Sequence, residues 1–205
     1  MTKEYKLYYQ RHLPHYQPLG ATLFLTFRLA GSLPLEIIRR LQEDVQRKEF
    51  EIQQIDDPKA HKEATYLAQK QMFGKLDAEL DFSQNGPRWL SELAIAQMAN
   101  DAIHYRDGKA YTLEAFCIMP NHVHMVFTPL VKDENPYSLS EIMQSLKRYT
   151  ARQANQLLGR EGDFWQHESY DHVVRDNAEF ERIVYYVLNN PTKAGLKSRW
   201  LYRKG

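Results

Sequence analysis

Two segments dense in apolar, β-branched and aromatic residues, 110–119 and 122–128, are separated by nothing more than Pro120-Asn121. A connection that short joins antiparallel strands, because parallel neighbours need a crossover of a dozen residues or more. An antiparallel hairpin in mid-chain is therefore the feature around which everything else has to be arranged. Upstream, residues 21–29 read as a strand with Leu23, Leu25, Phe27 and Leu29 on one face. Downstream, Ser138-Leu139-Ser140-Glu141 is a capping-box signal, and Ile142, Leu146, Tyr149, Ala154, Leu157 and Leu158 carry a helix to Gly159. Residues 164–174 read as another strand. Asp176 caps a last helix that the Asn190-Pro191 pair should end. The order strand, helices, strand, strand, helix, strand, helix predicts an α+β chain. Its pattern is ferredoxin-like βαββαβ, an antiparallel sheet with a helical insertion and an appended C-terminal helix.

The insertion lies between the first strand and the hairpin. Gly31-Ser32-Leu33-Pro34 stops the strand, with Ser32 placed to cap a helix. Ile37, Ile38, Leu41 and Val45 form a helical stripe that Asp56-Asp57-Pro58 interrupts. A second charged helix should follow and end near Gly74 or Leu80. Asn85-Gly86-Pro87 is a turn, and residues 89–105 form an amphipathic helix. The whole chain, 1–205, thus reads as a single domain with a charged helical insertion at about 43–85. Its first twenty residues form an arm rich in Tyr, His and Pro.

Lys and Arg number 27 against 26 Asp and Glu, which excludes a protein that grips duplex DNA by bulk charge. The balance hides a split, since from Lys147 onward 11 basic residues face 7 acidic ones. A single cysteine, Cys117, cannot form an internal disulfide or a Cys-rich zinc site. No apolar core follows the polar N-terminus and no run approaches a membrane span, so the expectation is a cytosolic chain with no membrane partner.

The chemistry concentrates in Met119-Pro120-Asn121-His122-Val123-His124-Met125. Residues two apart on a strand share a face, so His122 and His124 project together, opposite Val123 and Met125. Two imidazoles so placed suit a divalent cation, and equally suit solvent-facing histidines or histidines bonded to backbone. Val126 occupies the position where a histidine-triad hydrolase needs its third histidine. No second His-x-Thr/Ser copy supports a two-histidine phosphoesterase. On the last helix Tyr186 and Asn190 stand one turn apart on one face. The amide carbonyl is a hard oxygen ligand and the phenol a potential nucleophile, although Tyr185 and Tyr186 could simply be aromatics packing on the sheet.

Together these parts resemble the HUH (His-hydrophobic-His) single-tyrosine, IS200-like transposases, in the REP-associated tyrosine transposase branch. The resemblance rests on Leu13-Pro14-His15-Tyr16-Gln17-Pro18, the strand through Thr26-Phe27-Arg28-Leu29, and Met119-Pro120-Asn121-His122-Val123-His124. It continues through Phe164-Trp165-Gln166 and Asp171-His172-Val173-Val174-Arg175-Asp176, and closes on Tyr186-Val187-Leu188-Asn189-Asn190-Pro191-Thr192-Lys193-Ala194-Gly195-Leu196. It implies a metal-dependent endonuclease and strand transferase acting on single-stranded DNA with REP-like hairpins. Tyr186 would be the catalytic nucleophile, forming a 5′-phosphotyrosine. His122, His124 and Asn190 would hold Mg²⁺ or Mn²⁺. No nucleotide cofactor is required, and both monomers and homodimers occur among such proteins.

Lys147, Arg148 and Arg152 on one helix, Trp165 as a base-stacking surface, and Lys193 are candidate DNA contacts. The basic run Lys193, Lys197, Arg199, Arg203 and Lys204 could extend them or form a solvated tail. Two other functions fit the same fold. One is a non-catalytic hairpin-binding protein, which would have no need of the set His122, His124, Tyr186 and Asn190. The other is an RNA-binding module, whose central strands would carry stacking aromatics that the histidine-bearing face lacks.

Overall fold

The structure, a computed structural model, describes residues 8–10, 14–16, 18–83, 86–132, 135–196 and 200–205. In chain order the elements are β1 (Tyr8–Gln10), β2 (Pro14–Tyr16), β3 (Leu23–Leu29), α1 (Leu35–Gln53) and α2 (Pro58–Phe82). A 3₁₀ turn (Trp89–Ser91), α3 (Leu93–His104), β4 (Tyr111–Ile118), β5 (His122–Pro129), β6 (Val131–Lys132) and β7 (Asn135–Pro136) follow. The chain continues as α4 (Leu139–Leu157), β8 (Trp165–Val173), α5 (Asn177–Lys193) and β9 (Leu201–Arg203). The chain divides into two compact units, 1–30 with 88–205, and 31–87. Among the described residues no helix is long and apolar enough to cross a membrane.

In the larger unit β8, β3, β5, β4 and β9 form one antiparallel sheet in that order. Its first four strands have the ferredoxin-like arrangement that the strand–helix alternation predicts, and β4–β5 is the hairpin. Pro120-Asn121 makes the turn. Met119 N–H donates to the His122 carbonyl (2.9 Å), Leu29 N–H to the Asn121 carbonyl (2.8 Å) and Leu90 N–H to the Pro120 carbonyl (3.1 Å). The break is thus bonded to its neighbours on three sides, which fixes where β5 begins.

The apolar parity of the strands selects one sheet face for the core. Leu23, Leu25, Phe27 and Leu29 of β3 join Val123, Met125 and Phe127 of β5 in a cluster with Ile95, Ala99 and Ile103 of α3 and Ile142, Leu146 and Ala154 of α4. The opposite face carries Phe24 and Thr26 of β3 and His124 of β5, and lies under α5. A bulge between Leu113 and Ala115 keeps both ends of β4 in step with this division. Tyr111 and Leu113 before it and Phe116 and Ile118 after it all enter the core, and Cys117 falls opposite His124.

The smaller unit pairs α1 with α2. Asp57 caps α2 by accepting the Ala60 N–H (2.7 Å), with Pro58 at the first helical position, so Asp56-Asp57-Pro58 separates two helices as the sequence implies. Ion pairs Arg40–Glu79 and Lys75–Asp44 join the two helices across their exposed sides. Three expectations are corrected or narrowed in the helices. Ser32 does not cap α1, whose N-cap position is Pro34 with no side-chain bond, because Ser32 is buried two residues earlier. The second helix ends at Phe82, close to the Leu80 alternative and not at Gly74, since one glycine costs too little to stop a 25-residue helix. The segment 89–105 is split at Glu92 into a 3₁₀ turn and α3. Gly86, at φ +88°, does make the turn: a Cβ there would run into the Gly31 carbonyl oxygen. Asn85 of that turn lies outside the described residues.

The C-terminal region departs further from expectation. α5 continues past Asn190-Pro191 to Lys193, because a proline near a helix end forfeits a single rung. The last turn closes through Ala194 N–H to the Asn190 carbonyl (3.0 Å), Gly195 N–H to Thr192 (3.0 Å) and Leu196 N–H to Pro191 (2.8 Å). With Gly195 at φ +70°, this is a Schellman stop. The basic tail is also more than solvated chain. Leu201–Arg203 adds to β4 as β9, Arg203 pairs with Glu181 (3.0 Å), and Lys204 with Glu114 (3.6 Å). Lys197 and Arg199, like Leu13 and Gln17 of the N-terminal arm, lie outside the described residues.

Candidate active site

The site is assembled from β3, β5 and α5. His122 and His124 are fully buried, which removes the solvent-facing reading. Their Nε2 atoms face each other at 3.0 Å. His122 Nδ1 lies 2.7 Å from Asn121 Oδ1; the amide oxygen can only accept, so Nδ1 carries a proton and donates. His124 Nδ1 lies 2.7 Å from Thr26 Oγ1, on the strand paired with β5. Both rings are thereby held by their outer nitrogens with the inner ones convergent, as histidines that ligate metals are held.

α5 supplies the other half. Asn190 is buried, with Nδ2 3.3 Å from His124 Nε2 and 2.9 Å from Tyr186 Oη. Its Oδ1 is buried with no hydrogen-bond partner among the described residues. Tyr186 is half-buried, its ring edge-on to Phe24 and 5.5 Å from His124 between centroids. Tyr185 points away and is 70% exposed. Tyr149, a third tyrosine, is on α4 with the Arg106 guanidinium over its ring. The structure therefore brings His122, His124, Asn190 and Tyr186 together.

This donor set fits a hard divalent cation. Two nitrogens bound at about 2.1 Å and at right angles stand about 3.0 Å apart, matching the observed pair. The Asn190 oxygen could serve as a hard donor: a half-turn of its amide would bring Oδ1 beside His124 Nε2. Arg28 occupies the same face of β3, cross-strand from His122. Burial pulls its pKa down to about 10, which leaves it cationic at neutral pH.

The candidate DNA contacts divide. Arg148 and Arg152 are exposed on α4, across the sheet from the histidines, and Lys193 is exposed in the last turn of α5. Lys147, Arg148 and Trp165 share the lining of a groove of about 630 Å³ between α4 and β8. Two of these residues are nonetheless committed elsewhere. Trp165 is not an open stacking surface: its ring packs edge-on against Phe27 at 4.8 Å, and its indole N–H donates to Thr150 Oγ1 (2.7 Å). Lys147 Nζ donates to the Gln166 and His167 carbonyls (2.8 and 3.0 Å) and to Ser169 Oγ (2.7 Å), where β8 departs from register with β3. Its ammonium serves the strand.

Thr26, Asn121 and Arg28 carry no role in the sequence reading. A signal was present, since Thr26 and Arg28 are polar positions alternating with Leu25, Phe27 and Leu29, and Asn121 directly precedes the first histidine.

Residues 94–190 match the family described as "Transposase IS200 like", a span that contains every residue of the histidine, asparagine and tyrosine cluster. Over 87 residues the chain is 26% identical to a protein of Haemophilus influenzae provisionally named a REP-associated tyrosine transposase. That match covers 40% of this chain and spans about half, 49%, of the relative's length. A solved REP-associated tyrosine transposase bound to a REP hairpin superposes with a TM-score of 0.52 at 16% identity. This superposition covers 98% of this chain and 82% of the solved one, and shows that the two share a fold.

Proposed function

We propose that the chain cleaves and rejoins single-stranded DNA beside a hairpin through a covalent tyrosine–DNA intermediate. The observation that supports this most directly is the convergence at one spot of two imidazole nitrogens, an amide with an orphaned carbonyl, and a phenol bonded to that amide. In this reading Tyr186 Oη attacks the phosphorus of the scissile phosphodiester. A bond from phosphorus to the phenol oxygen forms and the bond to the 3′-oxygen breaks. The phenol proton is lost, and the leaving oxygen takes up a proton to become a free 3′-hydroxyl. The 5′-phosphotyrosine is still a diester, so rejoining reverses these steps without a nucleotide cofactor.

Each residue has a task that follows from its surroundings. A free phenol has a pKa near 10, so Tyr186 needs help at neutral pH, and a cation bound beside it would favour the oxyanion. Mg²⁺ or Mn²⁺, when bound by His122 Nε2, His124 Nε2 and Asn190 Oδ1, supplies positive charge that offsets charge developing on the phosphate. Asn121 holds the His122 ring in the ligating tautomer, and Thr26 holds the His124 ring in its orientation. Arg28 adds a fixed cation on the face where the phosphate would lie. Arg148 and Arg152 offer contacts to the DNA backbone away from the reacting bond, and Lys193 offers one from α5. The solved relative was bound to a REP hairpin, and hairpin-bearing DNA is accordingly the proposed substrate.

The test is a labelled single-stranded hairpin oligonucleotide incubated with the chain and Mn²⁺. A denaturant-resistant protein–DNA adduct is expected, with duplex of the same sequence cut far more slowly. Efficient duplex cutting would remove the single-strand reading, and binding with no adduct would leave a non-catalytic hairpin-binding protein. Thr26→Val, nearly isosteric, should weaken Mn²⁺ binding at least about 10-fold when measured by calorimetry, because the His124 ring loses its outer bond. Unchanged affinity would deny Thr26 that role.

A further inference from the structure

A carboxylate at the far end of α5 is tied to the sheet in a way that the chemistry above does not use. Glu179 sits in the first turn of α5 and is 6% exposed, unlike an ordinary acidic residue placed there to favour the helix dipole. Its Oε1 lies 3.2 Å from His172 Nε2 on β8, and its Oε2 accepts the Arg175 N–H at 2.9 Å. Its own N–H donates to the capping Asp176 Oδ1 at 2.7 Å. One side chain thus ties the helix start to the strand and to the connection between them. His172 is in turn cross-strand from Phe24, the residue against which the Tyr186 ring packs.

The helical spacing gives this clamp its reach. At 3.6 residues per turn, Tyr186 and Asn190 fall two and three turns beyond Glu179, within about 20° of the same line along the helix. Rotation of α5 about its axis is the motion that would spoil the site most cheaply. Turning it by about 15° would sweep a side-chain end by roughly 1.5 Å, a misplacement that costs on the order of 100-fold in rate. A buried carboxylate with partners on two segments resists that rotation, because its bonds are directional and costly to leave unmade.

We propose that Glu179, through His172 and the Arg175 N–H, is a positioning residue that sets the rotation of α5 and so aims Tyr186 and Asn190 at the histidine pair. The proposal rests on the assignment of Tyr186 as nucleophile. Single-turnover adduct formation and hairpin affinity should be measured side by side for Glu179→Ala, Glu179→Gln and Tyr186→Phe. Glu179→Ala should slow adduct formation about 100-fold with hairpin affinity within about twofold. Glu179→Gln, whose amide can still accept from Arg175 and donate to a neutral His172 ring, should recover to within about threefold. Glu179→Ala cleaving at the unaltered rate, or losing rate and hairpin binding in equal measure, would overturn the positioning role. If Tyr186→Phe still forms the adduct, the nucleophile assignment fails instead. Amide hydrogen exchange over residues 177–190 without DNA tests the clamp independently of activity. Faster exchange is expected in Glu179→Ala and restored protection in Glu179→Gln; identical exchange in all three chains overturns the proposal.

Discussion

Tyr186→Phe should abolish the covalent protein–DNA adduct, a loss on the order of 10⁴-fold or more, while hairpin binding stays within about twofold. The substitution removes one oxygen, and the ring keeps its edge-on contact with Phe24 and its place beside His124. Among the described contacts, the phenol oxygen takes with it the bond from the Asn190 N–H. The defect should therefore be chemical, with folding left intact, and an unchanged thermal midpoint would separate the two. Tyr185→Phe is the control: that side chain is exposed and directed away from the histidines, and its loss should leave the adduct at the unaltered level. An adduct that survives in Tyr186→Phe and vanishes in Tyr185→Phe would reverse the assignment.

The second large effect is expected from His122→Ala. The loss removes one of two convergent nitrogens and leaves Asn121 Oδ1 without the ring it orients. β5 keeps its ladder to β3 and β4, since those bonds are made by backbone. Cleavage should fall on the order of 10³-fold, the rate equivalent of several kcal/mol of lost charge stabilisation, with most hairpin binding spared. Mn²⁺ titration of the DNA-free protein gives a reading that does not depend on turnover. Unaltered Mn²⁺ affinity together with unaltered cleavage would sink the metal assignment.

Much of this architecture is legible in the sequence because local and tertiary preferences agree. The Pro120-Asn121 break, the alternating apolar residues of β3 and β5, and the capping box at Ser138 each have a local cause that the fold preserves. The cluster of His122, His124, Tyr186 and Asn190 follows from periodicity on two elements, although nothing in either period says that the two faces meet. What escapes the sequence are effects decided by distant partners. Trp165 is amphipathic enough for a surface, and it is Thr150, fifteen residues earlier on α4, that gives its N–H a buried acceptor. Lys147 looks like a phosphate ligand until the carbonyls left bare by the irregular start of β8 are taken into account. β9 is three residues long, too short to announce itself, and exists because β4 offers it an edge.

The Schellman stop that ends α5 has a consequence for how long the site stays assembled. Helices fray from their ends inward, and the last turn is ordinarily the first to open. Pro191 already forfeits the rung to the Val187 carbonyl, so an uncapped end would let fraying reach Asn190 almost at once. The bonds from Ala194, Gly195 and Leu196 back into the helix close that route. The Asn-Pro-x-Lys-Ala-Gly run therefore does two jobs in six residues. It carries the proposed oxygen donor, and it places immediately behind that residue a lock that keeps its residence time at the site that of the helix interior.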